Sequence, residues 1–151
     1  MECYFDNSAT TVCSDAAAER MQQVLLTDFG NPSSLHGKGM QAENYVKESR
    51  EIIAKTLKCE PKEIIFTSGG SESNNLAIFG SVRANKRVGK HIITTAVEHA
   101  AVYMPFKELE KQGYDVTFLP TDEKGVIRLE DLENALTDDT VLVAMMHVNN
   151  E

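Results

Sequence analysis

Apolar positions along this chain change period several times, and each change marks an element. Ala16, Ala17, Ala18, Met21, Val24 and Leu25 predict a first helix over 16–27, with Ser14 or Asp15 able to cap it. Tyr45, Val46, Ile52, Ile53 and Leu57 recur at helical spacing and predict a long amphipathic helix over 39–57. Ile64-Ile-Phe-Thr67 is a short apolar run that reads as a strand. A helix follows over about 71–87, burying Leu76, Ile78, Phe79 and Val82. His91–Thr95 reads as the next strand. Residues 99–112 then read as a helix carrying Val102, Tyr103, Phe106 and Leu109 and closed by Gly113 at C′. Proline is tolerated mainly in a helix's first turn, so Pro105 moves the expected start toward Val102. Asp115–Leu119 is a strand, Leu129–Leu136 a short helix, and Val141–Met146 a buried strand.

Strands alternating with helices at this spacing predict an α/β fold, three layers deep, with a mostly parallel sheet. Residues 1–15 are polar and read as an N-terminal arm. Phe29–Gly37 is a loop punctuated by Gly30, Pro32 and Gly37. There are no repeats or low-complexity tracts, and no linker is evident.

Composition narrows the function classes. The chain has 151 residues, 42% of them apolar, which fits a globular domain with a real core. Its net charge of −8 and scattered basic residues argue against a nucleic-acid surface. No apolar run reaches the roughly 18 residues of a membrane helix. The N-terminus, Met1-Glu-Cys-Tyr-Phe-Asp, has no basic region and no signal-peptide core, so the expected compartment is the cytoplasm. Cys3, Cys13 and Cys59 lack CxxC spacing and suggest neither a disulfide framework nor a metal site.

Three segments carry candidate chemistry, each following a predicted strand. Gly69-Gly70-Ser71 joins a strand to a helix, where free backbone N–H groups and the helix field favour a phosphate. The spacing is neither GxxxxGK[ST] nor GxGxxG, and a plain strand–helix turn has the same look. Glu98-His99 occupies the next strand end. A His there can stack on a flat cofactor, serve in proton transfer, or simply partner its own loop. His147-Val-Asn-Asn-Glu151 follows the last strand, where Asn149 and Asn150 can each donate to a ligand oxygen or build a turn. In a parallel sheet all three ends share one edge, where such folds bind ligands.

Taken in order, Tyr4-Phe-Asp-Asn-Ser-Ala-Thr-Thr11, Gly30-Asn-Pro-Ser-Ser-Leu-His36, Phe66-Thr-Ser-Gly-Gly-Ser-Glu-Ser-Asn-Asn-Leu76, Glu98-His99 and Met146-His-Val-Asn-Asn-Glu151 resemble the cysteine desulfurases. These are fold-type I pyridoxal-phosphate enzymes of the class V aminotransferase superfamily, and the resemblance covers essentially the whole chain. It implies that residues 16–151 are part of the large, cofactor-binding domain. Gly70 and Ser71 would bind the cofactor phosphate, although the family often has Thr at Ser71. His99 would stack on the pyridine ring and assist proton transfer, and Asn150 would bond the ring's phenolic oxygen. The parent activity would convert L-cysteine to L-alanine and a persulfide, in a homodimer. Its sulfur would pass to iron–sulfur scaffolds or to tRNA thiolation, with no direct nucleic-acid or membrane contact.

The chain also departs from that family. Its Schiff-base lysine stands in a Ser/Thr-x-His-Lys context, and no Lys here follows a His. The aspartate that pairs with the ring nitrogen and the sulfur-accepting cysteine are likewise unmatched; Cys3, Cys13 and Cys59 do not fit the latter. The expectation is an N-terminal portion, inactive alone and unable to hold the cofactor covalently. Rival readings are a related pyridoxal-phosphate lyase or aminotransferase, and a non-enzymatic half-protein acting as an assembly partner.

Overall fold

The structure is a computed structural model, and it describes residues 3–149. The chain divides between Phe66 and Thr67 into two compact units.

The first unit holds helices α1 (Asp15–Leu26) and α2 (Gly37–Leu57) and a 3₁₀ turn at Pro61–Glu63. Ser14 caps α1, its Oγ accepting from Ala17 N–H at 3.4 Å. His36, for which the sequence offered no role, caps α2: its Nδ1 accepts from Gly39 N–H at 3.3 Å, which sets the start two residues before the expected one. The buried positions of α2 are Gly39, Ala42 and Ala54. Of the expected stripe, Ile52 and Leu57 are exposed.

The centre of this unit is a carboxylate. Asp28 is 5% exposed and accepts from Tyr45 Oη at 2.6 Å, Gln41 Nε2 at 2.8 Å and Gln23 Nε2 at 3.0 Å. One side chain thereby ties the loop to both helices. The Tyr45 bond is the main cause holding Asp28 below the usual carboxylate range, and the same bond pushes the Tyr45 phenol up. Close backbone packing completes the loop, since a Cβ on Gly39 would lie 2.1 Å from Ser34 O.

The second unit is the α/β part, as expected. It runs α3 (Gly70–Ala84), β1 (His91–Thr95), α4 (Ala100–Lys111), β2 (Asp115–Leu119), α5 (Leu129–Ala135) and β3 (Thr140–Val143). The sheet is parallel, ordered β2-β1-β3. All five residues of β1 are buried, the mark of a central strand covered on both faces. Its Ile92 packs with Ile78 and Val82 of α3 and Phe106 and Leu109 of α4. At the strands' amino ends, buried His91 bonds Thr140 Oγ1 through Nδ1 (2.7 Å) and Thr117 Oγ1 through Nε2 (2.9 Å), which links all three strands. Among the described residues no buried side-chain polar atom lacks a partner.

Four expectations need correction. Ile64–Thr67 is not a strand: Ile64 has extended dihedrals, but no described strand pairs with the segment, and Ile65 and Phe66 are exposed. An apolar run without a ladder partner stays extended coil. Helix α3 ends at Ala84, where Asn85 Nδ2 turns back to Ser81 O at 2.9 Å, and Leu76 is half exposed rather than core. Helix α4 starts at Ala100 and carries Pro105 inside it. The His99 cap and the burial of Phe106 and Leu109 offset a proline cost of about 3 kcal/mol. The end of α4 matches expectation: Gly113 is left-handed at φ +88°, with Tyr114 N–H bonding Leu109 O and Gly113 N–H bonding Glu110 O. Finally, β3 ends at Val143 rather than Met146, because Met146 N–H donates to the Glu98 side chain instead of a neighbouring strand.

Two outcomes test this description. A carboxylate with a depressed pKa adds stability that is present above its unfolded value of about 3.9 and is lost as pH falls through the folded value. Asp28→Asn is therefore expected to melt below wild type at pH 7, with the gap closing as pH falls below the usual carboxylate range. A gap unchanged between pH 7 and pH 2 would contradict the clasp. Gly80, inside α3 with nothing within 4 Å of its would-be Cβ, should gain about 1 kcal/mol on change to Ala. Gly39→Ala should instead lose about 1–3 kcal/mol by overpacking; denaturant titration of both variants reads the opposite signs.

Candidate active site

Parallel strands deliver their carboxyl ends to one edge, and in the second unit that edge collects the chemistry. The α3 N-terminus, though not preceded by a paired strand, is built to meet an anion. Its N-cap is Gly69, in extended backbone and with no side-chain cap. A Cβ at Gly69 or Gly70 would meet nothing within 4 Å, so the space above the first turn is open. Gly70 and Ser71 open the helix and are exposed. The preceding loop is held by its own polar groups. Thr67 Oγ1 pairs with Ser73 Oγ at 2.6 Å, and Glu72 Oε2 accepts from both Ser68 N–H and Ser68 Oγ at 2.6 Å. Those bonds, the hydroxyl's first, hold the Glu72 carboxyl below its ordinary range.

His99 is the N-cap of α4. Its Nδ1 accepts from Ala101 N–H at 3.0 Å, which assigns the proton of the neutral ring to Nε2. The ring is exposed. The cap role and a ligand role are compatible, because they use different parts of the imidazole.

The third segment closes against the second. Met146 N–H donates to Glu98 Oε1 at 2.7 Å, and Asn149 Nδ2 donates to Val97 O at 2.9 Å. Asn149 thus spends that donor on the protein's own backbone. Asn150 lies outside the described residues.

Between these parts opens a cleft of about 420 Å³, walled by Asn74, Ala77 and Ser81 of α3, by Glu98 and His99, by Val102 of α4, and by Leu142–Met146. That size is within the range of small-molecule sites. His99 therefore faces the same cavity as the end of β3. Gly70 and Ser71 are not in its lining; they sit one turn before Asn74 on the same helix. Sequence reading quoted Glu98 and Asn74 within its motifs but gave neither a role. Glu98 could be seen as a carboxylate beside a helix-capping His, but its bond to a residue 48 positions later carries no local signal.

The donor set fits a planar, phosphate-bearing cofactor. Open N–H groups and the Ser71 hydroxyl suit the phosphate, while the His99 ring and the apolar wall at Ala144–Met146 suit a flat ring. No lysine lines the cleft among the described residues.

Comparison with known proteins identifies the family. The family described as aminotransferase class-V matches residues 3–151. A cysteine desulfurase IscS of Clostridium botulinum is 47% identical over 150 residues, covering 99% of this chain and 38% of that protein. A solved NifS-like protein superposes with a TM-score of 0.95 at 40% identity, covering 100% of this chain and 42% of the other. The structure titled SspA in complex with cysteine superposes at 0.90 and 41% identity, covering 98% and 43%. The chain thus spans less than half the length of these relatives. With its motifs, parallel sheet and family match all in agreement, the chain belongs to the class-V aminotransferase family, among homologues of the IscS/NifS cysteine desulfurases.

Proposed function

We propose that this chain is the part of a cysteine desulfurase that holds the phosphate and one ring face of pyridoxal 5′-phosphate. The observation that carries the reading is the shared cleft, in which the capping His99 faces the end of β3 and whose α3 wall starts at Asn74, one turn after Gly70 and Ser71. The relatives' names and the cysteine in the SspA structure's title support L-cysteine as the substrate.

Pyridoxal phosphate, when bound, supplies an electron sink for bond breaking at an amino-acid substrate. Gly70 and Ser71 offer the phosphate their backbone N–H groups and the Ser71 hydroxyl, aided by the helix field. His99 would stack on the ring and assist proton transfer, and with Nδ1 accepting from Ala101 N–H its neutral imidazole carries the proton on Nε2. Asn150, which lies outside the described residues, would donate to the phenolic oxygen, as the family resemblance implies. The substrate's products are L-alanine and a sulfur atom passed on as persulfide, for iron–sulfur assembly or tRNA thiolation. The working assembly is a cytoplasmic homodimer. No Lys follows a His in the sequence, and among the described residues no lysine lines the cleft, so the chain holds the cofactor only non-covalently.

Two measurements test this. Pyridoxamine 5′-phosphate carries no aldehyde and cannot react with surface lysines, so its titration reports the site alone. Ser71→Ala should weaken its binding about tenfold by loss of a donor to a charged group. His99→Asn, which keeps a capping side chain but removes the ring, should weaken it about three- to tenfold. Unchanged affinity in both variants would remove the site from this edge. Second, the purified chain supplied with pyridoxal phosphate and L-cysteine should release sulfide only at the protein-free rate; turnover above that background would contradict the assignment of a non-covalent site.

A further inference from the structure

We propose that Glu98 is a positioning residue for the cofactor's ring. Its carboxylate ties Met146, beyond the end of β3, to the turn that carries His99, and so joins the two sides of the ring-binding wall. The inference rests on the cofactor reading above and adds a residue to it.

The geometry behind it is a tether where the sheet runs out. The β1–β3 ladder last pairs Ile93 with Val143, and Ala144 N–H still reaches Ile93 O at 3.0 Å. Beyond that point β1 pairs only with β2, through Thr95 and Leu119, and Ala96 N–H bonds Leu119 O. Among the described residues no strand backbone holds residues 145–149. Side chains replace it: Thr94 Oγ1 donates to Ala144 O at 2.9 Å, Glu98 Oε1 accepts from Met146 N–H at 2.7 Å, and Asn149 Nδ2 donates to Val97 O at 2.9 Å. Thr95 Oγ1 donates to the same Glu98 oxygen at 3.1 Å, which orients the carboxylate from the strand it follows. Glu98 is half-buried and lines the cleft beside His99.

The tether explains why an acceptor side chain of this length is placed there. The acceptor must reach across the cleft wall to a backbone N–H, and it must take two bonds at one oxygen. A glutamine retains both, because its carbonyl oxygen accepts twice. An alanine leaves the Met146 N–H unpaired in the wall, and the middle of the segment, then tied only at Ala144 and Asn149, shifts against His99. The phosphate end of the site, at Gly70 and Ser71, lies outside the cleft lining and does not depend on this bond.

That separation gives the test. Wild type, Glu98→Ala, Glu98→Gln and Ser71→Ala are titrated with two probes, pyridoxamine 5′-phosphate and inorganic phosphate, and thermal melting confirms that each is folded. Amide exchange at Met146 is read without ligand. Glu98→Ala is expected to lose Met146 protection and to weaken pyridoxamine 5′-phosphate about tenfold, while inorganic phosphate stays within about twofold. Glu98→Gln is expected to restore both, and Ser71→Ala to weaken both probes. Equal weakening of the two probes by Glu98→Ala would make Glu98 a general structural residue and overturn the proposal, as would unchanged affinity for both. A wild-type chain that binds pyridoxamine 5′-phosphate no tighter than inorganic phosphate would overturn the cofactor reading itself, and the positioning role with it. Protection at Met146 that survives Glu98→Ala would rule out the tether directly.

Discussion

Everything in the second unit depends on the burial of β1. Five consecutive residues with no exposed face force the strand to be central, with β2 and β3 as its parallel neighbours. A buried strand must also satisfy its polar side chains internally. His91 does so at the amino edge by bonding Thr117 and Thr140. Thr94 and Thr95 do so at the carboxyl edge, by bonding Ala144 O and Glu98. The first set locks the strands in register. The second continues the connection past the ladder and builds the wall of a cleft. The same physical demand thus produces a structural lock at one edge and a candidate site at the other.

His99 shows how such a site is made from ordinary folding parts. A helix needs its first N–H groups satisfied, and the imidazole Nδ1 meets that need for α4. Doing so fixes the ring's tautomer and orientation before any ligand arrives. The α3 N-terminus is the opposite case. Gly69 supplies no cap, and that end is left open to an external anion. In the proposed reading, two helix starts, one capped by His99 and one left uncapped, divide ring and phosphate recognition between them.

The parts of the fold governed by local rules were legible in the sequence. Gly113 ends α4 in a left-handed turn, Ser14 caps α1, and the β1 and β2 segments lie where the apolar runs place them. The misreadings share a cause, which is dependence on a distant partner. Ile64–Thr67 has strand composition without a described strand to pair with, and β3 stops short because Glu98 takes the Met146 N–H. Pro105 sits inside a helix that local reasoning would have started later, because tertiary burial of Phe106 outweighs the proline rule. The Asp28 clasp in the first unit was invisible for the same reason: its donors come from positions 23, 41 and 45, with nothing local to announce them. Of the site, Gly70, Ser71 and His99 were named from motif and position. The structure adds Glu98 and shows that the Asn149 donor serves the backbone.

The central claim is that the carboxyl edge of this small parallel sheet receives a phosphate-bearing flat cofactor. The most direct measurement is a crystal structure of the chain soaked with pyridoxamine 5′-phosphate. The account predicts phosphate density at the N–H groups of Gly70 and Ser71, with the pyridine ring against His99 inside the cleft. Ligand density elsewhere, with the α3 N-terminus and the His99 face both empty, would contradict it.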